Sequence, residues 1–125
     1  PLFLECTLDE TTGESLTALA HRGARRVFSA QTARALRELL ASVVTEGTGH
    51  EAAPAEGTAA GKTGTAQTGQ FAAGKELKNY WFAGFYPARN PRYTIVVLQD
   101  GQTGPSRTSA AIFARVCDAL DAAGE

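Results

Sequence analysis

Two runs in the second half of this chain constrain its fold more than anything else in it. Tyr80-Trp81-Phe82-Ala83-Gly84-Phe85-Tyr86 is rich in aromatics, too short for a helix and closed by Pro87, and Tyr93-Thr94-Ile95-Val96-Val97-Leu98 is largely β-branched. Both compositions suit a pleated, half-buried surface. Ala88 to Pro91 supplies turn chemistry between them, so the two runs read as a hairpin in the interior of a sheet.

The other segments are read by periodicity. Leu2, Leu4, Cys6 and Leu8 alternate with Phe3, Glu5, Thr7 and Asp9, the period of a half-buried strand. Asp9 to Gly13 is a turn, Leu16 to Leu19 returns as a short strand, and His21 to Arg26 is loop. Ser29 stands at the N-cap position of a helix in which Leu36, Leu39, Leu40, Val43 and Val44 share one face, with Gly47 ending it. Gly47 to Gly57 reads as a loop leading to a strand around Lys62, and Thr68 to Lys78 as a second loop. Ser106 or Thr108 caps a terminal helix whose face carries Ile112, Phe113, Val116, Cys117 and Leu120. The predicted order of two short strands, helix, three strands and helix implies an α+β fold, an antiparallel sheet packed with helices.

Composition removes several function classes. A chain of 125 residues with 43% hydrophobic content can bury one modest core, and its net charge of −1 gives no bulk attraction to nucleic acid or to an anionic membrane. No apolar run approaches the about 18 residues of a membrane-spanning helix, and no signal peptide pattern is present. Cys6 and Cys117 lie far apart without Cys-x-x-Cys or His-x-x-x-His spacing, which speaks against a zinc site and for buried free thiols, a disulfide being the alternative in an exported parent. No cofactor motif stands out. Pro1 opens a chain that contains no methionine, so it reads as an excised piece of a longer polypeptide.

Chemistry concentrates in Ala60-Gly61-Lys62-Thr63-Gly64-Thr65-Ala66-Gln67. A phosphate-binding loop requires Gly, four residues, then Gly-Lys-Ser/Thr; here Glu56 occupies the place of the first glycine, Gly57 leaves only three intervening residues, and no helical pattern follows Thr63. The bland alternative is an irregular edge strand with Lys62 as a solvated charge. His21 and His50 read as surface histidines, Trp81 and Phe82 as core more readily than as a substrate groove, and Lys75 and Lys78 as solvated loop residues.

The same run, with Glu46-Gly47-Thr48-Gly49 before it and Trp81-Phe82-Ala83-Gly84-Phe85 and Tyr93-Thr94-Ile95-Val96-Val97 after it, resembles the penicillin-binding proteins, whose motifs are Ser-x-x-Lys, Ser-x-Asn and Lys-Thr-Gly. Order and spacing match over nearly the whole chain, and the Gly-Thr-Ala-Gln ending is more similar to the class B transpeptidases. The resemblance implies a partial β-lactamase/transpeptidase-like fold, residues 1–125 being the C-terminal part of one transpeptidase domain without its helical subdomain and early strands. It implies that Lys62 gives electrostatic and proton-transfer support, that the backbone N–H of Thr65 is an oxyanion donor, and that Thr63, Gly64 and Thr65 bind substrate. Those roles suit the chemistry. Attack on a peptide or lactam carbonyl develops an oxyanion, a D-alanine carboxylate needs hydroxyl and cationic partners, and glycine permits close approach.

None of Ser15, Ser29, Ser42, Ser106 and Ser109 is followed by lysine at the third position, and none begins Ser-x-Asn. The nucleophile is therefore expected upstream, in a parent that cross-links peptidoglycan stem peptides and binds β-lactams, and this chain is expected to be inactive alone. A serine D,D-carboxypeptidase, a β-lactamase or a non-catalytic β-lactam sensor shares the same strand logic. The resemblance also implies a parent anchored in the bacterial cytoplasmic membrane with its catalytic domain outside. The Tyr93–Leu98 edge is expected to pair with the missing N-terminal part of the domain, to self-associate, or to recruit another local segment.

Overall fold

The computed structural model describes residues 6–9, 11–18, 26–104 and 107–124. Strand β1 (Cys6–Leu8) pairs antiparallel with β2 (Ser15–Ala18), and helix α1 (Ala30–Thr45) precedes a second, three-stranded antiparallel sheet of β3 (Ala60–Ala72), β4 (Lys75–Tyr86) and β5 (Tyr93–Gln102). Helix α2 (Arg107–Ala122) follows. Order in the larger sheet is β3-β4-β5, so the aromatic run is central and the two strands beside it are edges among the described residues.

Local chemistry accounts for the boundaries. The Asp9 carboxylate accepts from the N–H groups of Thr11 and Thr12, Gly13 takes a positive φ of 72°, and the chain turns back into β2. Those contacts, that of Thr12 first, hold the Asp9 carboxyl below its usual range. Ser29 caps α1 by accepting from Thr32 N at 3.0 Å. The predicted Ser106 cap lies outside the described residues, and Thr108 lies inside α2, not at its cap.

The core lies between α2 and one face of the larger sheet. Phe82, Phe113 and Cys117 are fully buried, joined by Val44, Ala52, Ala59, Tyr86 and Ala110, with Tyr93, Ile95 and Val97 packed against them. The rings of Phe82 and Phe113 meet at 4.7 Å and 57°, a tilted pair of the favourable kind. Glycine makes room for both. A Cβ on Gly61 would stand 2.6 Å from Phe82 Cε1, and one on Gly84 3.0 Å from Phe113. Ser109, also buried, reaches Tyr80 O and the side-chain amide of Gln99, tying α2 to β4 and β5.

Three further expectations need correction. The predicted loop at Thr68 to Lys78 is a continuation of β3 and β4 to a tight turn at Ala73-Gly74, both at positive φ. Polar and glycine-rich composition disguised a ladder that side chains complete. The loop from Gly47 to Gly57 contains a 3₁₀ turn, His50–Ala52. On α2, Phe113 and Cys117 are buried together with Ser109, Ala110 and Ala114, whereas Val116 is 37% exposed, because the helix turns its small residues toward the sheet. Among the described residues no helix is long and apolar enough to cross a membrane.

Candidate functional site

Lys62, Thr63, Gly64 and Thr65 lie consecutively on β3, opposite Ala83, Phe82, Trp81 and Tyr80 of β4. Successive side chains of a strand point to opposite faces. Thr63 and Thr65 therefore share a face with Phe82, while Lys62 and Gly64 share the other with Trp81 and Ala83. Lys62 is exposed, and its ammonium donates to Thr63 O at 3.0 Å and to Thr63 Oγ1 at 3.2 Å. The cation thus bends across the strand and meets the threonine hydroxyl at the outer edge.

The direction of the backbone follows from the same contacts. In an antiparallel ladder a residue sends its N–H and C=O both toward the partner strand or both away, and the choice alternates. Ala83 O lies between β3 and β4, 2.7 Å from where a Cβ on Gly61 would stand, as it does when it pairs with Lys62 N. By alternation Lys62 and Gly64 address β4, and Thr63 and Thr65 face outward. The bond from Lys62 to Thr63 O agrees with that assignment. No other strand pairs with this edge among the described residues, so the N–H groups of Thr63 and Thr65 are open donors beside a cation and two hydroxyls.

The face that bears Lys62 is apolar and open around Trp81, with α1 lying toward its Phe85 and Thr94 end. Trp81 is 37% exposed, Leu98 45% and Val96 57%, and Trp81 pairs with Leu98 as Ala83 does with Val96. Phe82, predicted with Trp81 as core, is buried on the opposite face. Beyond Gln67 the strand bulges, and two side chains with no expected role, those of Thr68 and Glu76, close it: Thr68 Oγ1 donates to Leu77 O, and Glu76 accepts from Gln67 Nε2 and Gly69 N. The signal for this was a glycine, Gly69, inside a strand-length segment.

The remaining candidates stand apart from this edge. Cys117 is a free, buried thiol pushed up to about 11 by burial first and by Asp118 and Asp121 next, which keeps it protonated and inert. Ser29 and Ser42 bond to α1 backbone and Ser109 is buried, whereas His21 and Ser106 lie outside the described residues. Lys75 and Lys78 are on β4, not in a loop, and His50 is exposed in the 3₁₀ turn. Tyr86, buried at the other end of β4, donates to Asp121, and that bond raises its hydroxyl to about 12.

The family model described as penicillin binding protein transpeptidase domain matches residues 8–118. Penicillin-binding protein PbpB of Mycolicibacterium smegmatis is 38% identical over 110 residues, 76% of this chain and 17% of that protein. Stage V sporulation protein D of Bacillus subtilis is 32% identical over 93% of this chain and 18% of its own length, so the chain spans less than a fifth of either relative. Among solved structures, the apo TP domain of Burkholderia pseudomallei penicillin-binding protein 3 superposes with a TM-score of 0.66 at 36% identity, over 79% of this chain and 32% of that one. The D,D-transpeptidase domain of a peptidoglycan glycosyltransferase from Eggerthella lenta gives 0.65 at 28% identity over 96% of this chain and 27% of that one. The α+β architecture is thus a partial transpeptidase fold.

Proposed function

Because this chain belongs to the penicillin-binding protein transpeptidase family, we propose that it is the C-terminal part of a serine D,D-transpeptidase domain and forms one wall of the acyl-transfer site. The observation that carries the reading is the open edge of β3, where the Lys62 ammonium, the Thr63 hydroxyl and the outward N–H of Thr65 converge.

On this reading a stem peptide, or a β-lactam in its place, lies along that edge. Its carboxylate is met by Lys62 and by the hydroxyls of Thr63 and Thr65, a charge-assisted set. Thr65 N–H donates to the oxygen that becomes negative when the carbonyl is attacked, so its bond strengthens toward the transition state. Gly64 leaves the approach clear. Lys62 also favours the ionised state of groups brought near it and assists proton transfer. The attacking serine belongs to sequence upstream of this chain, in a parent anchored at the cytoplasmic membrane with its catalytic domain outside, and that upstream part covers the bare face around Trp81 and Val96.

Labelling with a fluorescent penicillin tests the proposal. The full-length protein is expected to label covalently, Lys62→Ala to label at least about tenfold more slowly, and the 125-residue chain alone not to label. Covalent labelling of the isolated chain would overturn the assignment of the nucleophile to upstream sequence.

A further inference from the structure

The larger sheet is interrupted twice between Leu77 and Asn79 of β4, once on each side of that strand. Between Gln67, which pairs with Lys78, and Phe71, which pairs with Glu76, β3 places Thr68, Gly69 and Gln70 opposite Leu77 alone. On the other side the register slips between the pairs Lys78 with Gln102 and Tyr80 with Gln99. Gly69 and Gly101 supply positive φ at the two sites, 69° and 60°. A bulge bends the strand that carries it and increases its local twist.

Side chains meet backbone groups that the β3 bulge frees. Leu77 O accepts from Thr68 Oγ1 at 2.6 Å, Gln70 N donates to Thr68 Oγ1 at 3.1 Å, and Gly69 N donates to Glu76 Oε1 at 3.3 Å. Glu76 Oε2 accepts from Gln67 Nε2 at 3.0 Å. Across β4, Gly101 N donates to Asn79 Oδ1 at 2.9 Å. Glu76 is the member that spans the defect: one oxygen holds the last regularly paired residue before it, the other holds the residue at its centre.

Gln67 is two residues beyond Thr65 on the same face and the same open edge. We propose that Glu76 is a positioning residue of the acyl-transfer site, its two-pronged clasp on Gln67 and Gly69 fixing the strand beyond Thr65 and with it the aim of the outward Thr65 N–H. This rests on the function proposed above. Gln67 and Gly69 are both exposed, so water replaces the carboxylate when it is removed, and the clasp contributes direction to the strand more than stability. A donor misaimed toward an oxyanion weakens the step in which the charge appears and leaves ground-state binding almost untouched.

The test separates those two quantities in the full-length protein by following acylation with a chromogenic cephalosporin at several concentrations. Glu76→Ala is expected to lower the acylation rate constant about tenfold, to keep the dissociation constant of the initial complex within about twofold, and to melt at nearly the wild-type temperature. Glu76→Gln, which retains an acceptor for Gly69 N, is expected to recover most of the rate. Lys75→Ala, on the same arm outside the clasp, is expected to behave as wild type. An unchanged rate in Glu76→Ala overturns the proposal, as does a rate lost only in step with melting temperature, or a loss that appears in binding alone. If the wild-type protein itself is not acylated, the underlying function fails instead, and the two failures are distinct.

Discussion

Glycines 61 and 64 flank the same lysine and threonine, yet the chemistry around each differs. Gly61 is buried, and a methyl there would meet Phe82 Cε1 at 2.6 Å and Ala83 O at 2.7 Å, the second a backbone atom that cannot swing aside. Gly64 faces the bare side, where a Cβ would make an ordinary contact of 3.4 Å with Trp81 Cβ. Gly61→Ala should therefore destabilise by about 1–3 kcal/mol through overpacking, lowering the denaturant midpoint. Gly64→Ala should shift stability by less than about 0.5 kcal/mol while slowing penicillin acylation, because on the proposed function the added methyl stands where the substrate approaches. Equal stability losses in the two variants would refute this division of labour. In sequence the two glycines are alike; only the ring of Phe82, brought over Gly61 by the fold, marks that one as a packing glycine.

At the scale of elements, the end of α2, the end of β4 and the segment that feeds β3 are clasped together. Ala55 N donates to Asp118 Oδ1 at 2.8 Å, Tyr86 donates to Asp121, and Ala88 N donates to Thr58 O at 2.8 Å. The Tyr86 hydroxyl is raised from 10.0 to about 12 chiefly by the Asp121 bond, and the Cys117 thiol from 9.0 to about 11 chiefly by burial. Between pH 9 and 11 the folded state keeps the Cys117 proton, and between pH 10 and 12 the Tyr86 proton, that the unfolded chain releases. Stability is thus fully present below about pH 9 and is lost as pH rises through those windows. Tyr86→Phe should flatten the decline above pH 10 and cost about 1 kcal/mol at neutral pH, read as urea midpoints against pH. A wild-type midpoint that holds constant to pH 12 would contradict the clasp. Little of this was legible beforehand. The β4–β5 hairpin and α1 declare themselves because a composition or a period repeats along each, and Ser29 announces its cap by position. The clasp and the β3 bulge join residues far apart along the chain or on facing strands, and their polar side chains look, in sequence, like those of any loop.

For the molecule as a whole, the two faces of the larger sheet are unequal. One is closed by α2 over Phe82 and Phe113, and the other presents Trp81, Val96 and Leu98 beside Lys62, with β5 ending the sheet on an unpaired edge among the described residues. An apolar face continuous with an open edge is a site of association. If upstream sequence covers that face in the full-length protein, as the proposed function requires, a charge placed there must act with opposite sign in the two settings. Val96→Lys in the 125-residue chain puts an ammonium into water at the centre of the patch, and should raise solubility and shift sedimentation toward monomer. The same substitution in the full-length protein traps the ammonium beneath a packed layer, and should destabilise by about 3 kcal/mol or more and reduce penicillin labelling through lost fold. The contrast is measured by sedimentation of the short chain and thermal melting of the long one. A long chain that accepts Val96→Lys without loss would leave the face uncovered there too, and Lys62 would then stand on an open surface instead of in the wall of a cleft.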